Sequence, residues 1–162
     1  MKQPPKIESV SIAKQELLQL EAENKFIFHG TDAETDVIHP RQAVDSTRGP
    51  VGDPAIYGSA IAETAIFYAI MKARNFSNGS VTSCESSHVN PDTGEVTSEY
   101  RISKEDFKQL NNDASGYVYI FNKSEFAPAG KMSPEHSRDK AIQPIKRIAV
   151  TKADLPKNIT LT

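Results

Sequence analysis

The chain has 162 residues, of which 38% are hydrophobic and 25% are charged, and its formal net charge is −2. This length and composition suit one globular domain with a single core, so we expect residues 1–162 to form one domain. The slightly negative balance lacks the basic field that nucleic-acid-binding proteins usually carry. The single cysteine, Cys84, excludes an intramolecular disulfide and favours a reducing compartment. No segment has the apolar length of a signal peptide or a membrane span, so the expected localisation is cytoplasmic, with no membrane partner.

The first thirty residues predict one helix and one strand. Residues 1–10 contain two prolines and are expected to be loosely ordered. Ser11 can cap a helix from Ile12 to about Glu23, and its partial apolar stripe predicts that only one edge is buried. The aromatic run over residues 26–28 predicts a strand that ends at His29-Gly30-Thr31.

A second strand and a second helix are expected after a loop. Residues 32–54 contain Pro40, Gly49-Pro50, Gly52 and Pro54, which argue against any long regular element. A short strand should then end at Tyr57-Gly58. Ser59 can cap a helix from Ala60 to about Arg74. The apolar residues of this helix recur at helical spacing and are Ala62, Ala65, Ile66, Ala69 and Ile70.

The rest of the chain predicts more strands separated by short helices, which gives an α+β fold. We expect an exposed excursion over residues 75–95 with a turn at 90–94, followed by a strand from Glu95 to Ile102 and a short helix from Ser103 to Leu110. A central strand from Gly116 to Phe121 should come next, then a loop over residues 123–140 and a last strand from Ala141 to Thr151. Pro144 within that last strand predicts a sheet edge.

The order of three features resembles a known enzyme superfamily. A strand ending in His29-Gly30-Thr31 is followed by a variable loop, by Tyr57, and by a helix carrying Tyr68 eleven residues later. Glu135 comes before a late strand. This order is similar to the NAD-binding core of the ADP-ribosyltransferases of the H-Y-E class, which includes the poly(ADP-ribose) polymerases and diphtheria toxin. The resemblance covers residues 26–150. It implies a split β-sandwich of two small sheets around an NAD cleft, with short flanking helices.

The resemblance also implies a role for particular residues, with NAD as co-substrate. It makes His29, Tyr57 and Glu135 the catalytic set, and Glu135 would stabilise the oxocarbenium-like ribose of the transition state. His29 would bind the adenosine ribose, the Gly30 backbone would grip the nicotinamide carboxamide, and Tyr57 and Tyr68 would stack on the nicotinamide ring. The remaining members of the implied NAD site are Thr31, Ser59, Ala65 and Arg41, with Arg48 as a second phosphate partner. Ala65 stands where the polymerases carry a serine, so Ser59 or Thr64 would have to replace its hydrogen bond.

Each of these residues also has an ordinary structural explanation. His29 can be a satisfied histidine at a strand end, and both tyrosines can be core aromatics. Glu135 can be a solvated loop acid, and Glu125 is the next candidate for its role. Cys84 and His88 have no second pair at metal-ligand spacing, so no metal is expected.

The predicted function is a mono-ADP-ribosyltransferase acting on an unidentified protein or nucleic-acid acceptor. Ser133, two residues before Glu135, differs from the Glu or Gln of arginine-modifying transferases and argues against an arginine acceptor. An inert binding module on the same fold and an NAD-dependent RNA 2′-phosphotransferase remain as alternatives.

Overall fold

The described part of the chain folds into two β-sheets and three α-helices. The computed structural model describes residues 10–45, 49–130 and 133–162, with only the backbone described over 43–45 and 49–52. In these ranges the helices are α1 Ile12–Ala22, α2 Ala62–Ile70 and α3 Lys104–Gln109. The strands are β1 Phe26–Thr31, β2 Arg41–Asp45, β3 Gly49–Ser59, β4 Ser83–Val89, β5 Val96–Ile102, β6 Ser115–Asn122, β7 Ala127–Pro128, β8 Glu135–Arg138, β9 Lys146–Thr151 and β10 Ile159–Leu161. The expected α+β class is confirmed.

The larger sheet has seven antiparallel strands and brings distant parts of the chain side by side. Its order is β7-β8-β3-β1-β6-β9, and β2 pairs with β3 off this path. The first part of β3 pairs with β2, and its last four residues pair with β8. At the end of β3, Ser59 lies opposite Phe28 of β1 on one side and opposite Glu135 of β8 on the other. The chemistry-bearing ends of β1, β3 and β8 therefore lie next to one another.

The smaller sheet has three strands in the order β10-β5-β4. β4 and β5 form an antiparallel hairpin whose register runs from Ser83 opposite Ile102 to Val89 opposite Val96. In the connecting turn Gly94 has a φ of 72°, a conformation that favours glycine, and the Asn90 side chain accepts the Asp92 N–H at 2.8 Å. β10 pairs in parallel with the far side of β5. β4 is thus an edge strand of this sheet.

Helix α2 lies between the two sheets. Seven of its nine residues are buried, as expected for a helix that is apolar on nearly all sides. On the side of the smaller sheet, the Phe67 ring lies 5.0 Å from the Tyr100 ring of β5, and the Thr64 hydroxyl is 2.9 Å from the Tyr100 hydroxyl. Tyr68 is one of the two α2 residues that are not buried.

On its other side, α2 lies almost directly on the backbone of the larger sheet. A Cβ atom at Gly30 would come within 1.8 Å of the Ala65 carbonyl oxygen, and one at Gly116 would come within 2.5 Å of the Ala69 carbonyl oxygen. Glycine on the strands and alanine on the helix allow this close approach. Glycine is therefore required at position 30 by the packing of α2. The sequence alone explains this glycine instead by the close approach of a ligand to the backbone.

Several predicted elements are confirmed. Ser11 caps α1, where its side chain accepts the Lys14 N–H, and Ser103 caps α3 in the same way through the Asp106 N–H. The strand at residues 26–31 has the predicted bounds, and β6 is an interior strand of the larger sheet. β9 is an edge strand, in line with the nearby proline.

The start of α2 differs from the prediction. Ser59 is the last residue of β3, and its hydroxyl accepts the Ile61 N–H at 3.0 Å instead of capping a helix at residue 60. The first helical N–H, that of Ala62, is bound by the Glu21 carboxylate of α1 at 2.6 Å. The helix ends at Ile70, four residues earlier than predicted.

Three predicted loops contain strands. Residues 32–54 hold β2 and most of β3. These two strands pair with each other although the segment contains several prolines and glycines. Residues 75–95 hold β4, and residues 123–140 hold β7 and β8. The predicted last strand at 141–151 is regular only from Lys146, and β10 follows it. Among the described helices, none combines the length and apolarity needed to cross a membrane.

Candidate functional site

A cleft of about 750 Å³ lies where the ends of β1, β3 and β8 meet helix α2 and strand β4. Its lining includes Phe28, His29, Gly30, Tyr57, Gly58, Ser59, Thr64, Ala65, Tyr68, Lys72, Glu85, Ser86, Ser87, Ser133, Pro134 and Glu135. The larger sheet and α2 therefore form one side of this cleft and β4 of the smaller sheet forms the opposite side. Its volume lies in the range of small-molecule sites.

Seven of the nine residues that the sequence assigned to an NAD site line this one cleft. The two exceptions are Thr31 and Arg41. Thr31 is buried, and its hydroxyl accepts the Ala33 N–H at 3.3 Å. Arg41 is exposed at the start of β2, and its charge helps to lower the pKa values of His29 and Lys72, so it lies near one end of the cleft. Arg48, the other predicted phosphate partner, lies outside the described residues.

His29 is held in one orientation by the backbone of β3. Its Nδ1 atom lies 2.6 Å from the Tyr57 carbonyl oxygen. Because a carbonyl only accepts, Nδ1 carries the proton, and in the neutral ring Nε2 is left as an acceptor. Burial, partly opposed by this hydrogen bond, lowers the pKa of His29, and the charges of Lys72 and Arg41 lower it further. The imidazole is therefore a neutral ring that can accept a hydrogen bond from a ligand hydroxyl.

Tyr57 and Tyr68 are exposed in the cleft and are not core aromatics. Their exposed fractions are 36% and 44%, whereas Tyr100 and Tyr119 are almost fully buried. Tyr57 projects from β3 and Tyr68 from α2, so the two rings reach the cleft from different elements. The Tyr68 hydroxyl donates to Glu85 Oε2 at 3.1 Å. Although part of the ring is exposed, the hydroxyl group of Tyr68 is partly desolvated. This desolvation, followed by the charge of Glu85, strongly raises the pKa of Tyr68. This phenol therefore stays protonated and tied to Glu85.

Glu135 opens strand β8 and lines the cleft. Its backbone is fixed on both sides, because its N–H donates to Ser133 Oγ at 3.1 Å and its carbonyl accepts the Ala129 N–H at 2.8 Å. Desolvation raises the pKa of Glu135, and the charge of Glu85 raises it further. A carboxylate whose charge is disfavoured in this way is well suited to take up a proton.

Glu125, the other candidate for this role, does not line the cleft. Its carboxylate is 2.9 Å from Arg138 Nη1 in an ion pair at the end of β8 away from Glu135. It lines a separate depression of about 630 Å³, together with Tyr57 and Arg138. Its existing partner and its position leave Glu135 as the acidic residue of the predicted set.

Two hydroxyl groups lie near Ala65, where the resemblance implies a serine. The Thr64 hydroxyl is paired with the buried Tyr100 hydroxyl at 2.9 Å. The Ser59 hydroxyl accepts the Ile61 N–H at 3.0 Å, and its proton has no acceptor among the described residues. Ser59 is thus the better placed of the two to donate a hydrogen bond into the cleft.

The cleft residues that the sequence did not anticipate include Lys72, Glu85, Ser86 and Ser87. Lys72 lies two residues beyond the end of α2. It is half-buried, and desolvation lowers its pKa, with a partly opposing effect from Asp32. Helical spacing from Ala65 and Tyr68, at i+7 and i+4, places Lys72 on their side of the helix predicted from the sequence, although α2 itself ends at Ile70. The three β4 residues have no comparable signal, because their polar segment predicts an exposed loop and not a strand.

The charges of the cleft are divided between its two ends. Lys72 lies with His29 and near Arg41 and Asp32, as the electrostatic effects between these groups indicate. Glu85 and Glu135 lie together at the other end with Tyr68. One end is therefore predominantly cationic and the other anionic.

Cys84 and His88 both lie on β4 and are exposed, with Cys84 a free thiol. Among the described side chains, no group of three or more His, Cys, Asp or Glu residues is arranged to hold a metal ion.

Comparisons of the chain with protein-family models, with curated proteins and with solved structures found no match. The functional argument therefore depends on the geometry and charges of the cleft.

Proposed function

We propose that this protein is an NAD-dependent mono-ADP-ribosyltransferase of the H-Y-E type, built on an ADP-ribosyltransferase-like split β-sandwich. In this reaction the bond between nicotinamide and its ribose breaks, nicotinamide leaves with the bonding electron pair, and an acceptor nucleophile attacks the ribose carbon. The observation that carries the proposal is that two exposed tyrosines, Tyr57 and Tyr68, share one cleft with His29 and Glu135.

The two tyrosines supply the nicotinamide site. Aromatic rings that remain exposed on the wall of a small-molecule cleft offer flat apolar faces that a ligand can cover. A planar cationic pyridinium ring stacks well on phenol rings, because the negative faces of the rings attract its positive charge. The anionic groups Glu85 and Glu135 lie at this end of the cleft and favour the same cation. Lys72 and the nearby Arg41 lie towards the other end, where they can accompany the diphosphate.

His29 binds a ribose hydroxyl. Since Nδ1 donates to the Tyr57 carbonyl, Nε2 is the free acceptor, and a ribose hydroxyl is a suitable donor to it. The lowered pKa keeps this nitrogen unprotonated at neutral pH. The carboxamide of nicotinamide is met by the backbone of β1 at Gly30 and by the Ser59 hydroxyl, which replaces the serine that is absent at Ala65.

Glu135 stabilises the transition state. As nicotinamide leaves, positive charge develops on the ribose, and a carboxylate in a partly desolvated site lowers the energy of that charge. Removal of one such electrostatic contact typically costs about 10²–10³ in rate. The raised pKa of Glu135 also equips it to take the proton of the acceptor nucleophile.

The test is to incubate the purified protein with NAD and to measure free nicotinamide, with binding of NAD followed separately by calorimetry. The proposal expects both binding and nicotinamide release. Binding without release, in the presence of protein and RNA acceptors, would instead establish an inert binding module. Transfer of a 2′-phosphate from RNA to NAD would establish the phosphotransferase alternative. Absence of NAD binding would reject both NAD-dependent activities and favour an inert or an unrelated fold.

A further inference from the structure

Glu85 connects the two sides of the cleft through a chain of hydroxyl groups. Its Oε2 atom accepts the hydroxyl of Tyr68 on α2 at 3.1 Å, and its Oε1 atom accepts the hydroxyl of Ser87 on its own strand. The Ser87 hydroxyl is in turn 3.1 Å from the Ser98 hydroxyl on β5. The Glu85 carboxylate thus has a donor at each oxygen and is held in one position by partners on two different elements.

This position places a fixed negative charge at the edge of the exposed Tyr68 ring. The remaining acidic group of the cleft lining, Glu135, lies on the opposite side, on β8. The two carboxylates are close enough for the charge of Glu85 to raise the pKa of Glu135. Among the described residues, the only Lys or Arg in the lining is Lys72, whose charge is coupled to the other end of the cleft.

We propose that Glu85 is a specificity-determining residue, which positions Tyr68 and makes the tyrosine end of the cleft selective for a cationic heteroaromatic ring over its neutral counterpart. This inference builds on the proposed function and goes beyond it, because it assigns the preference for the charged pyridinium of NAD over neutral nicotinamide to one residue. Such a preference also helps product release, since the reaction converts the cationic ring into a neutral one.

The experiment compares two ligands of nearly the same shape that differ in charge. 1-Methylnicotinamide carries the permanent positive charge of the pyridinium, and nicotinamide is neutral. Binding of both is measured by calorimetry for the wild type and for Glu85→Gln, which keeps the size of the side chain and removes its charge. The matched control is Glu99→Gln on the neighbouring strand β5. Glu99 is exposed, pairs with Arg101 and does not line the cleft, so this variant makes the same change in net charge.

The wild type and Glu99→Gln are expected to bind the cation more tightly than the neutral ring. In Glu85→Gln the affinity for the cation should fall roughly tenfold, as expected for the loss of one partly screened charge nearby. The affinity for nicotinamide should change less than about twofold if the amide keeps the hydrogen bond of Tyr68. Glu85→Asp, which retains the charge, should recover part of the preference. If Glu85→Gln should not fold, Tyr68→Phe and Ser87→Ala, which release the carboxylate from its donors, are each expected to reduce the preference.

Equal loss of affinity for both ligands in Glu85→Gln would overturn the inference and leave Glu85 with a purely structural role. An unchanged ratio of affinities would overturn it as well. Failure of the wild type to bind either ligand would reject the proposed nicotinamide site itself, so this outcome is distinct from the failure of the Glu85 inference alone.

Discussion

Substitution of Gly30 by alanine tests why the chain carries glycine next to His29 in this cleft. The added Cβ atom would lie 1.8 Å from the Ala65 carbonyl oxygen and 2.8 Å from the Ala69 backbone nitrogen. Ordinary contact begins at 3.4 Å, so helix α2 would have to move by about 1.6 Å. Both obstructing atoms belong to the helix backbone, which cannot turn away as a side chain does.

The expected cost lies at or above the upper end of the range for overpacked cores, about 3 kcal/mol. For a domain of this size, each kcal/mol lowers the melting temperature by roughly 2–4 °C, so Gly30→Ala should melt roughly 6–12 °C below the wild type. The control is Gly130→Ala, because a Cβ atom at Gly130 has no neighbour within 4 Å. That variant should melt within about 1–2 °C of the wild type. Thermal unfolding followed by circular dichroism measures both.

The reasoning is refuted if Gly30→Ala and Gly130→Ala melt at the same temperature. If Gly30→Ala also loses NAD binding while its melting temperature is unchanged, glycine is required at this position by the ligand, as the sequence first suggested, and not by α2.

Three further expectations concern titration and binding. His136 is buried, and its Nδ1 atom has no hydrogen-bond partner among the residues that the structure describes. Burial, followed by the charge of Lys123, lowers the pKa of His136, so its contribution to stability is complete above about pH 6.5 and is lost as the pH falls towards the lowered value. His136→Gln should therefore lose less stability than the wild type between about pH 7.5 and 5.5 in urea unfolding, and equal losses would contradict this. Glu135 is exposed as a residue, but partial desolvation of its carboxyl group, followed by the charge of Glu85, raises its pKa, so its charge modestly destabilises the fold at neutral pH. Glu135→Gln should thus raise the melting temperature, and the gain should shrink as the pH falls towards the pKa of a carboxyl group. No gain at pH 7 would contradict the raised pKa of Glu135. NAD should raise the melting temperature of the wild type and not that of Tyr57→Ala, and an equal shift in both would remove Tyr57 from the site.

The parts of the fold that the sequence predicted are those with a strong local pattern. The aromatic run of β1, the apolar face of α2 and the caps at Ser11 and Ser103 are local features, and each forms as expected. His29 of β1, Tyr57 of β3 and Tyr68 of α2 lie on elements that the sequence predicts, and all three line the cleft.

The parts that the sequence did not predict form by pairing with distant residues. β4 has almost no apolar alternation, and it is a strand because β5 binds it along its whole length. β8 is only four residues long and depends on β3. Glu85 was overlooked for this reason, and Glu135 was expected in a loop although it starts a strand. Thr31 was included because it follows His29-Gly30, but it is buried at the end of β1, where its hydroxyl accepts the Ala33 N–H.

The measurement that tests the central claim most directly is single-turnover release of nicotinamide from NAD by the wild type and by Glu135→Gln, paired with calorimetric NAD affinities. If Glu135 acts mainly on the transition state, the variant keeps an NAD affinity close to that of the wild type and releases nicotinamide about 10²–10³ times more slowly. If the variant releases nicotinamide at the rate of the wild type, Glu135 has no part in catalysis and the proposed mechanism is wrong.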